Sequence, residues 1–289
     1  MIISVASGKG GTGKTLVSTS LAISLKALYN TQLLDCDVEE PDVHIFLKPV
    51  IQSSSIVSIP VPQVDENKCT YCGRCARWCQ FGAISVIGGK HINLFPQLCH
   101  ACGTCTYLCP QKALTEVPHS CGRVDSGNAG NLSFVAGTLD IGSNQTIPLI
   151  HKVKAMATDN NVVIIDCPPG TSCPAFESIH GSDYCLLVSE PTPFGLNDLK
   201  LAVETVRKLD IPFGLILNRT GNVFTPMDEY CRAENISILM SIPYDAKIAS
   251  LYSKGLVLAE EDPNWLKEFQ TLFTNIRGQL GKRNRYPEW

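Results

Sequence analysis

A chain of 289 residues with 44% hydrophobic and 18% charged residues can fill one large core, or a core carrying a small module, which excludes a disordered or fibrous class. Its formal net charge of -3 argues against nucleic acid held by a bulk positive field, and the basic run Lys282, Arg283, Arg285 reads as a solvated end. No apolar run approaches the roughly 20 residues of a membrane helix. Met1 to Val5 shows no basic, cleavable leader, so the 14 cysteines are expected in a reducing cytoplasm and not in disulfides.

In chain order, Ile2 to Ala6 reads as a buried strand, Thr15 to Leu28 as a helix with apolar Leu16, Leu21, Ala22 and Leu25, and Gln32 to Cys36 as a second strand. This βαβ unit predicts a parallel sheet. Between strand and helix lies Gly8-Lys9-Gly10-Gly11-Thr12-Gly13-Lys14-Thr15. Such a glycine-rich turn leaves backbone N–H groups pointing inward, and the helix behind it adds its positive end, so phosphates are held without bulky side chains. Lys14 is then expected on the β and γ phosphates of ATP or ADP and Thr15 on Mg2+. The same residues spell Gly8-x-Gly10-x-x-Gly13 with Asp35 and Asp37 downstream, the pattern of a dinucleotide fold. Lys14-Thr15 argues for a mononucleotide instead. So does Asp166 at the end of an apolar strand, a second metal-side carboxylate that phosphoryl transfer uses.

From Val61 to Val117 the periodicity gives way to short cysteine-punctuated segments. Two runs share one spacing, Cys69-x2-Cys72-x2-Cys75-x3-Cys79 and Cys99-x2-Cys102-x2-Cys105-x3-Cys109-Pro110. This is the bacterial ferredoxin pattern for two [4Fe-4S] clusters, in which three sulfurs come from one run and the fourth from the other. One cluster would take Cys69, Cys72, Cys75 and Cys109, the other Cys99, Cys102, Cys105 and Cys79. Gln80 stands where the first run would carry its proline. A zinc ribbon is the alternative, although zinc knuckles use paired C-x2-C and not triplets. The stretch nets +2 between Val61 and Val117, which suits an acidic redox partner. Ser53 to Ser55 and Ser126 to Gly130 read as flexible connections at its ends.

Buried-strand runs resume at Leu132–Ala136, Val162–Ile165, Tyr184–Val188 and Phe213–Leu217, with helical periodicity over Ile147–Met156 and Leu196–Leu209. The last stretch gathers Trp265, Phe269, Leu272, Phe273, Ile276 and Leu280 on one face. That face suits either the sheet or a membrane surface. Of the six other cysteines, Cys36, Cys121, Cys167, Cys185 and Cys231 read as small core residues. The predicted architecture is an α/β P-loop NTPase with a mostly parallel, doubly wound sheet (1–60 and 118–289), interrupted by a small ferredoxin-like α+β insert (61–117).

Lys9 to Thr15 resembles the deviant Walker A motif of the MinD/ParA ATPases, whose relatives include the nitrogenase iron protein and the Mrp-type iron-sulfur carriers. Leu34-Asp35-Cys36-Asp37, Asp166-Cys167-Pro168-Pro169-Gly170, Glu190 to Gly195, Leu217-Asn218-Arg219 and Ile242 to Asp245 extend the resemblance. With the cysteine stretch included, the chain is similar to members of that superfamily carrying an inserted ferredoxin domain. The resemblance implies a homodimer, or a dimer with a paralogue, sandwiching ATP. Lys9 would cross to the partner's phosphates, Asp37 orient the attacking water, and Asp166 support Mg2+. Gly170 would sense the γ phosphate, and Asn218, Pro243 and Asp245 would contact adenine. It also places Cys173 where the nitrogenase iron protein has a dimer-bridging cluster ligand, with Cys121 as the loosely matching second cysteine. The implied activity is ATP hydrolysis coupled to electron transfer. The alternatives are an iron-sulfur assembly carrier and a positioning or scaffolding ATPase with structural clusters.

Overall fold

The computed structural model describes residues 1–159, 162–221 and 223–283, with side chains described up to 280. The calls on Lys282, Arg283 and Arg285 therefore fall outside the described side chains. Strands β1 (Ile2–Ala6), β2 (Thr31–Asp35), β3 (Val50–Val64), β4 (Ile84–Ile87), β5 (His91–Leu94), β6 (Leu114–Ala129), β7 (Leu132–Leu139), β8 (Val162–Asp166), β9 (Tyr184–Ser189), β10 (Phe213–Thr220) and β11 (Ile238–Pro243) alternate with helices. The helices are α1 (Lys14–Leu25), α2 (Val43–Leu47), α3 (Arg74–Trp78), α4 (Thr104–Tyr107), α5 (Thr146–Lys154), α6 (Cys173–Ile179), α7 (Pro193–Lys208), α8 (Thr225–Ala233), α9 (Ala246–Ser253), α10 (Leu258–Glu261) and α11 (Pro263–Arg283).

Nine strands form one sheet in the order β11-β10-β9-β1-β8-β2-β7-β6-β3. From β11 to β7 every pairing is parallel, whereas β6 and β3 are antiparallel additions at one edge. The central strands are buried along their whole length: Val162–Asp166 and Tyr184–Ser189 carry no half-exposed residue. Strands covered on both faces are selected for continuous apolar character, which is why they were legible as runs. One face is covered by α1, α10 and α11 over Ile3, Val5, Leu33 and Ile164. The other is covered by α5, α6 and α7 over Leu34, Val163, Ile165 and Leu187.

The closing helix settles one expectation. Phe269, Leu272, Phe273 and Ile276 are buried in the first core, and α11 packs along α1. The face that suited a membrane surface is spent on the sheet, and Trp265 and Leu280 lie at its margin. Among the described residues no helix is long and apolar enough to cross a membrane.

The Ser- and Gly-containing connections are also not slack. Ser53, Ser54 and Ser55 pair with Ser126, Asp125 and Val124 inside an antiparallel ribbon of β3 and β6 that runs from Val50/Asn128 to Val64/Leu114. The Ser53 and Ser126 hydroxyls meet at 2.7 Å, and a Cβ on Gly127 would strike the Val50 carbonyl oxygen. Composition alone favours a flexible reading of such segments, but pairing to a distant partner overrides it. The ribbon runs out from the sheet edge, and at its far end residues 65–113 form α3, the β4–β5 hairpin and α4.

Candidate functional site

Parallel strands end together, and the turn after β1 is placed where β8 and β2 also finish, the crevice in which such sheets bind ligands. The turn is fixed by close approach. Gly13 takes φ +97, and a Cβ there would strike the Asn218 amide; a Cβ on Gly8 would strike the Asp198 carbonyl. Asn218 Nδ2 donates to the Thr12 carbonyl at 2.8 Å, tying β10 to the turn. A cleft of about 340 Å3 is lined by Gly10, Gly11, Gly13, Lys14, Thr15, Asp37, Asn218, Pro243 and Asp245 among the predicted residues. Gly8, Thr12, Lys9, Asp166 and Gly170 are not in its lining.

Each of those five has a definite place. Gly8 packs on α7, and Thr12 is buried at 2% exposure with its hydroxyl lacking a partner. Gly170, with φ +89, donates its N–H to the Ser7 carbonyl at 2.9 Å, while the adjoining Pro169 does line the cleft. Lys9 turns away, its Nζ 4.0 Å from Glu190, whose carboxylate also takes Arg219 at 2.7 Å. Asp245 caps α9, accepting from the Lys247 N–H at 2.6 Å.

Asp166 lies beneath the cleft at 1% exposure, and neither carboxylate oxygen has a hydrogen-bond partner. Burial pushes its pKa up to about 7, tempered by the nearby Thr15 hydroxyl and the Lys14 ammonium. That hydroxyl makes its hydrogen bond elsewhere, donating to Asp42 at 2.9 Å. Asp37 is raised to about 6, again by burial and against the pull of Lys14. Asp35, fully buried, is raised by burial and by the Asp166 charge, and accepts the backbone N–H groups of Asp37 and Val43. It thereby pins the segment that carries Asp37. An unpaired buried carboxylate beside a lysine and a threonine hydroxyl is a donor set suited to Mg2+ with phosphate. A bound cation would return these carboxylates to their ionised form.

Sequence reasoning missed Asp42, Arg219, Tyr244 and Tyr252, all in the cleft lining. Asp42 carried one usable signal, an acidic residue shortly after Asp37 and just before a helix. Arg219 and Tyr244 lie inside segments that carried the resemblance but were given no role there, and Tyr252 carried no signal.

The cysteine stretch folds into two halves at a constant offset of 30 residues, Cys69 recurring as Cys99 and Cys79 as Cys109. The backbone repeats with it: φ is positive at Tyr71 and Ala101, at Gly73 and Gly103, and at Gly82 and Lys112. The Tyr71 and Ala101 N–H groups each donate to the sulfur two residues back at 3.4 Å, and Ala113 donates to Cys109 Sγ at 3.2 Å. One small pocket, of about 20 Å3, is lined by Cys69, Cys72, Cys75 and Cys109. A second, also of about 20 Å3, is lined by Cys79, Cys99, Cys102 and Cys105. Among the described residues no group of three or more His, Cys, Asp or Glu is arranged to hold a metal ion.

Cys36, Cys121, Cys167, Cys185 and Cys231 are buried and Cys173 is exposed. Cys121 donates to the Val57 carbonyl within the ribbon at 1% exposure, so it cannot join Cys173 in a bridge between subunits.

Residues 3–258 match the CobQ/CobB/MinD/ParA nucleotide binding domain. The chain belongs to this family. An uncharacterised protein of Methanocaldococcus jannaschii is 32% identical over 264 residues, covering 88% of this chain and 90% of the relative. An iron-sulfur cluster carrier protein of Aquifex aeolicus is 25% identical over 94% of this chain and 65% of its own length. The septum site-determining protein MinD of Pyrococcus horikoshii, solved with Mg-ADP, superposes with a TM-score of 0.56 at 20% identity, covering 94% of this chain and 93% of that one. The fold is therefore the MinD-like P-loop α/β fold with a large, mostly parallel sheet.

Proposed function

We propose that the chain is a dimeric Mg-ATPase whose nucleotide state gates electron transfer through two [4Fe-4S] clusters carried by residues 61–117. The observation that carries the redox half is the crosswise sorting of eight cysteines into two pockets of four, each pocket drawing its fourth sulfur from the other run. Cys69, Cys72, Cys75 and Cys109 would hold one cluster and Cys79, Cys99, Cys102 and Cys105 the other. When bound, each cluster supplies a one-electron carrier.

In the nucleotide half, the N–H groups of Gly10 to Gly13 and the Lys14 ammonium would hold the phosphates, and the Thr15 hydroxyl, now bonded to Asp42, and the Asp166 carboxylate would hold Mg2+, which would supply charge neutralisation at the phosphates. Asp37 would orient the attacking water. Asn218, Pro243 and Asp245 bound the adenine end. Lys9, half-exposed and held only loosely by Glu190, is free to cross to a partner's phosphates. Contacts to the γ phosphate exist in only one nucleotide state, so hydrolysis releases the Gly170 segment and with it α6.

The carrier reading is favoured by the likeness to the Aquifex protein. Against it stands the crosswise ligand sets, which interlock each cluster with both halves of the stretch. The test is the rate of cluster reduction by a small acidic flavodoxin or ferredoxin, with Mg-ADP and with a non-hydrolysable ATP analogue. Different rates support gating. Identical rates with efficient cluster transfer to an acceptor apoprotein favour the carrier.

A further inference from the structure

The two cysteine pockets differ in their relation to the nucleotide fold. The pocket of Cys79, Cys99, Cys102 and Cys105 has ribbon residues Pro60, Pro62 and Glu116 in its wall. Cys99 and Ala83 are buried in the same apolar cluster as Ile59, Val61, Leu149 and Val153. The pocket of Cys69, Cys72, Cys75 and Cys109 meets the ribbon only at its tip, Ala113 and Leu114. The first is inner and the second outer.

Gln145, the residue before α5, bonds the nucleotide fold to the inner pocket. The residue is 9% exposed. Nε2 donates to the Cys99 carbonyl at 2.8 Å and to Asn144 Oδ1 at 2.7 Å. A buried amide committed to two acceptors holds one orientation, because losing either bond leaves a polar group unpaired away from water. At the other end of α5, Lys154 Nζ donates to the Glu177 and His180 carbonyls of α6 and its C-terminal cap, at 2.5 and 2.6 Å, and His151 meets the Glu177 carboxylate at 3.0 Å. The chain enters α6 directly from Pro169 and Gly170, the first lining the cleft and the second bonded to Ser7. An α-helix of nine residues moves as a rod of about 14 Å. Displacement of α6 thus reaches the Cys99 peptide through α5 and Gln145. The Ala101 N–H, which donates to Cys99 Sγ, turns with that peptide. Hydrogen bonds to ligand sulfur tune cluster potential.

We infer that Gln145 is a positioning residue for the Cys99 loop, and that through it the inner cysteine site, and not the outer, responds to nucleotide. The inference rests on the proposed ATP site and cluster ligands. Hydrogen exchange of the full chain, measured by mass spectrometry with Mg-ADP and with a non-hydrolysable ATP analogue, reads residues 97–105 against 67–75 whether or not iron is bound. Wild type is expected to show a change of about fivefold at 97–105, the low end of ordinary coupling, and little at 67–75. Gln145→Met, which keeps the length and removes the donor, should abolish that difference while ATP hydrolysis and iron content persist. In the loaded protein the same variant should remove a nucleotide-dependent shift in the potential of one cluster. A difference that survives in Gln145→Met, that appears equally at 67–75, or that is absent from wild type with bound nucleotide overturns the inference. A chain that binds no nucleotide overturns the ATP-site reading beneath it, and one that binds nucleotide but no iron overturns the cluster reading.

Discussion

Asp166→Asn isolates what the buried carboxylate does. In the folded chain it is 1% exposed, without hydrogen-bond partners, and raised by burial to about 7. In the unfolded chain its pKa is near the ordinary 3.8. Between about pH 4 and 7 the folded state therefore keeps a proton that the unfolded chain has lost, and stability falls as pH rises through that window. A difference of about three units corresponds to roughly 4 kcal/mol once the window is passed, part of it shared with Asp35. Asparagine removes the charge but leaves an amide with the same missing partners, which costs about 1–3 kcal/mol. The nucleotide-free variant should then gain about 1–3 kcal/mol at pH 7.5. For a chain of this size that is about 2–5 °C in Tm, and the gain should shrink toward zero at pH 5. Mg-ADP should stabilise wild type more than ADP with chelator, whereas the variant should show no such Mg2+ increment. Anaerobic scanning calorimetry at both pH values measures all of this. A variant that melts below wild type at pH 7.5 without nucleotide, or that keeps the Mg2+ increment, would refute the reasoning.

Lys14→Ala should lower Mg-ATP hydrolysis by at least about 100-fold while iron content and the visible spectrum stay at wild-type levels, since the cysteine pockets contain no residue of the cleft. Wild-type hydrolysis would remove the phosphate-loop assignment. Because Asp37 is raised to about 6 and acts ionised, kcat/KM should fall about tenfold per unit below pH 6. Asp37→Asn should lose that acid limb together with the rate while retaining ATP, and a flat wild-type profile down to pH 5 would contradict the role. Cys79→Ser should cost the inner cluster with Cys99, Cys102 and Cys105 and spare the one bound by its sequence neighbours Cys69, Cys72 and Cys75. Iron analysis with EPR showing the reverse would exclude crosswise ligation.

The parallel core was legible because burial on both faces writes itself into strands such as Val162–Asp166 as uninterrupted apolar runs. The two groups of four cysteines were legible because a repeated spacing fixes a repeated loop, down to the positive φ at Tyr71 and Ala101. What stayed hidden depends on partners far away in sequence. Ser53 and Ser126 have the composition of a linker, and only their pairing across 73 positions makes them strand. Asp42 reaches Thr15 across 27 positions, and Gln145 reaches Cys99 across 46. The α11 face showed its period but not its neighbour, which is α1.

The central claim is that nucleotide chemistry and two clusters act as one device. Potentiometric EPR of the anaerobically purified chain, with no nucleotide, with Mg-ADP and with a non-hydrolysable ATP analogue, tests it most directly. The account predicts two [4Fe-4S] signals per chain, one of which moves in potential between the ADP and ATP-analogue states while the other stays fixed. Two clusters with the same potentials in all three states would contradict it, leaving an ATPase and a ferredoxin that share a chain without acting on each other.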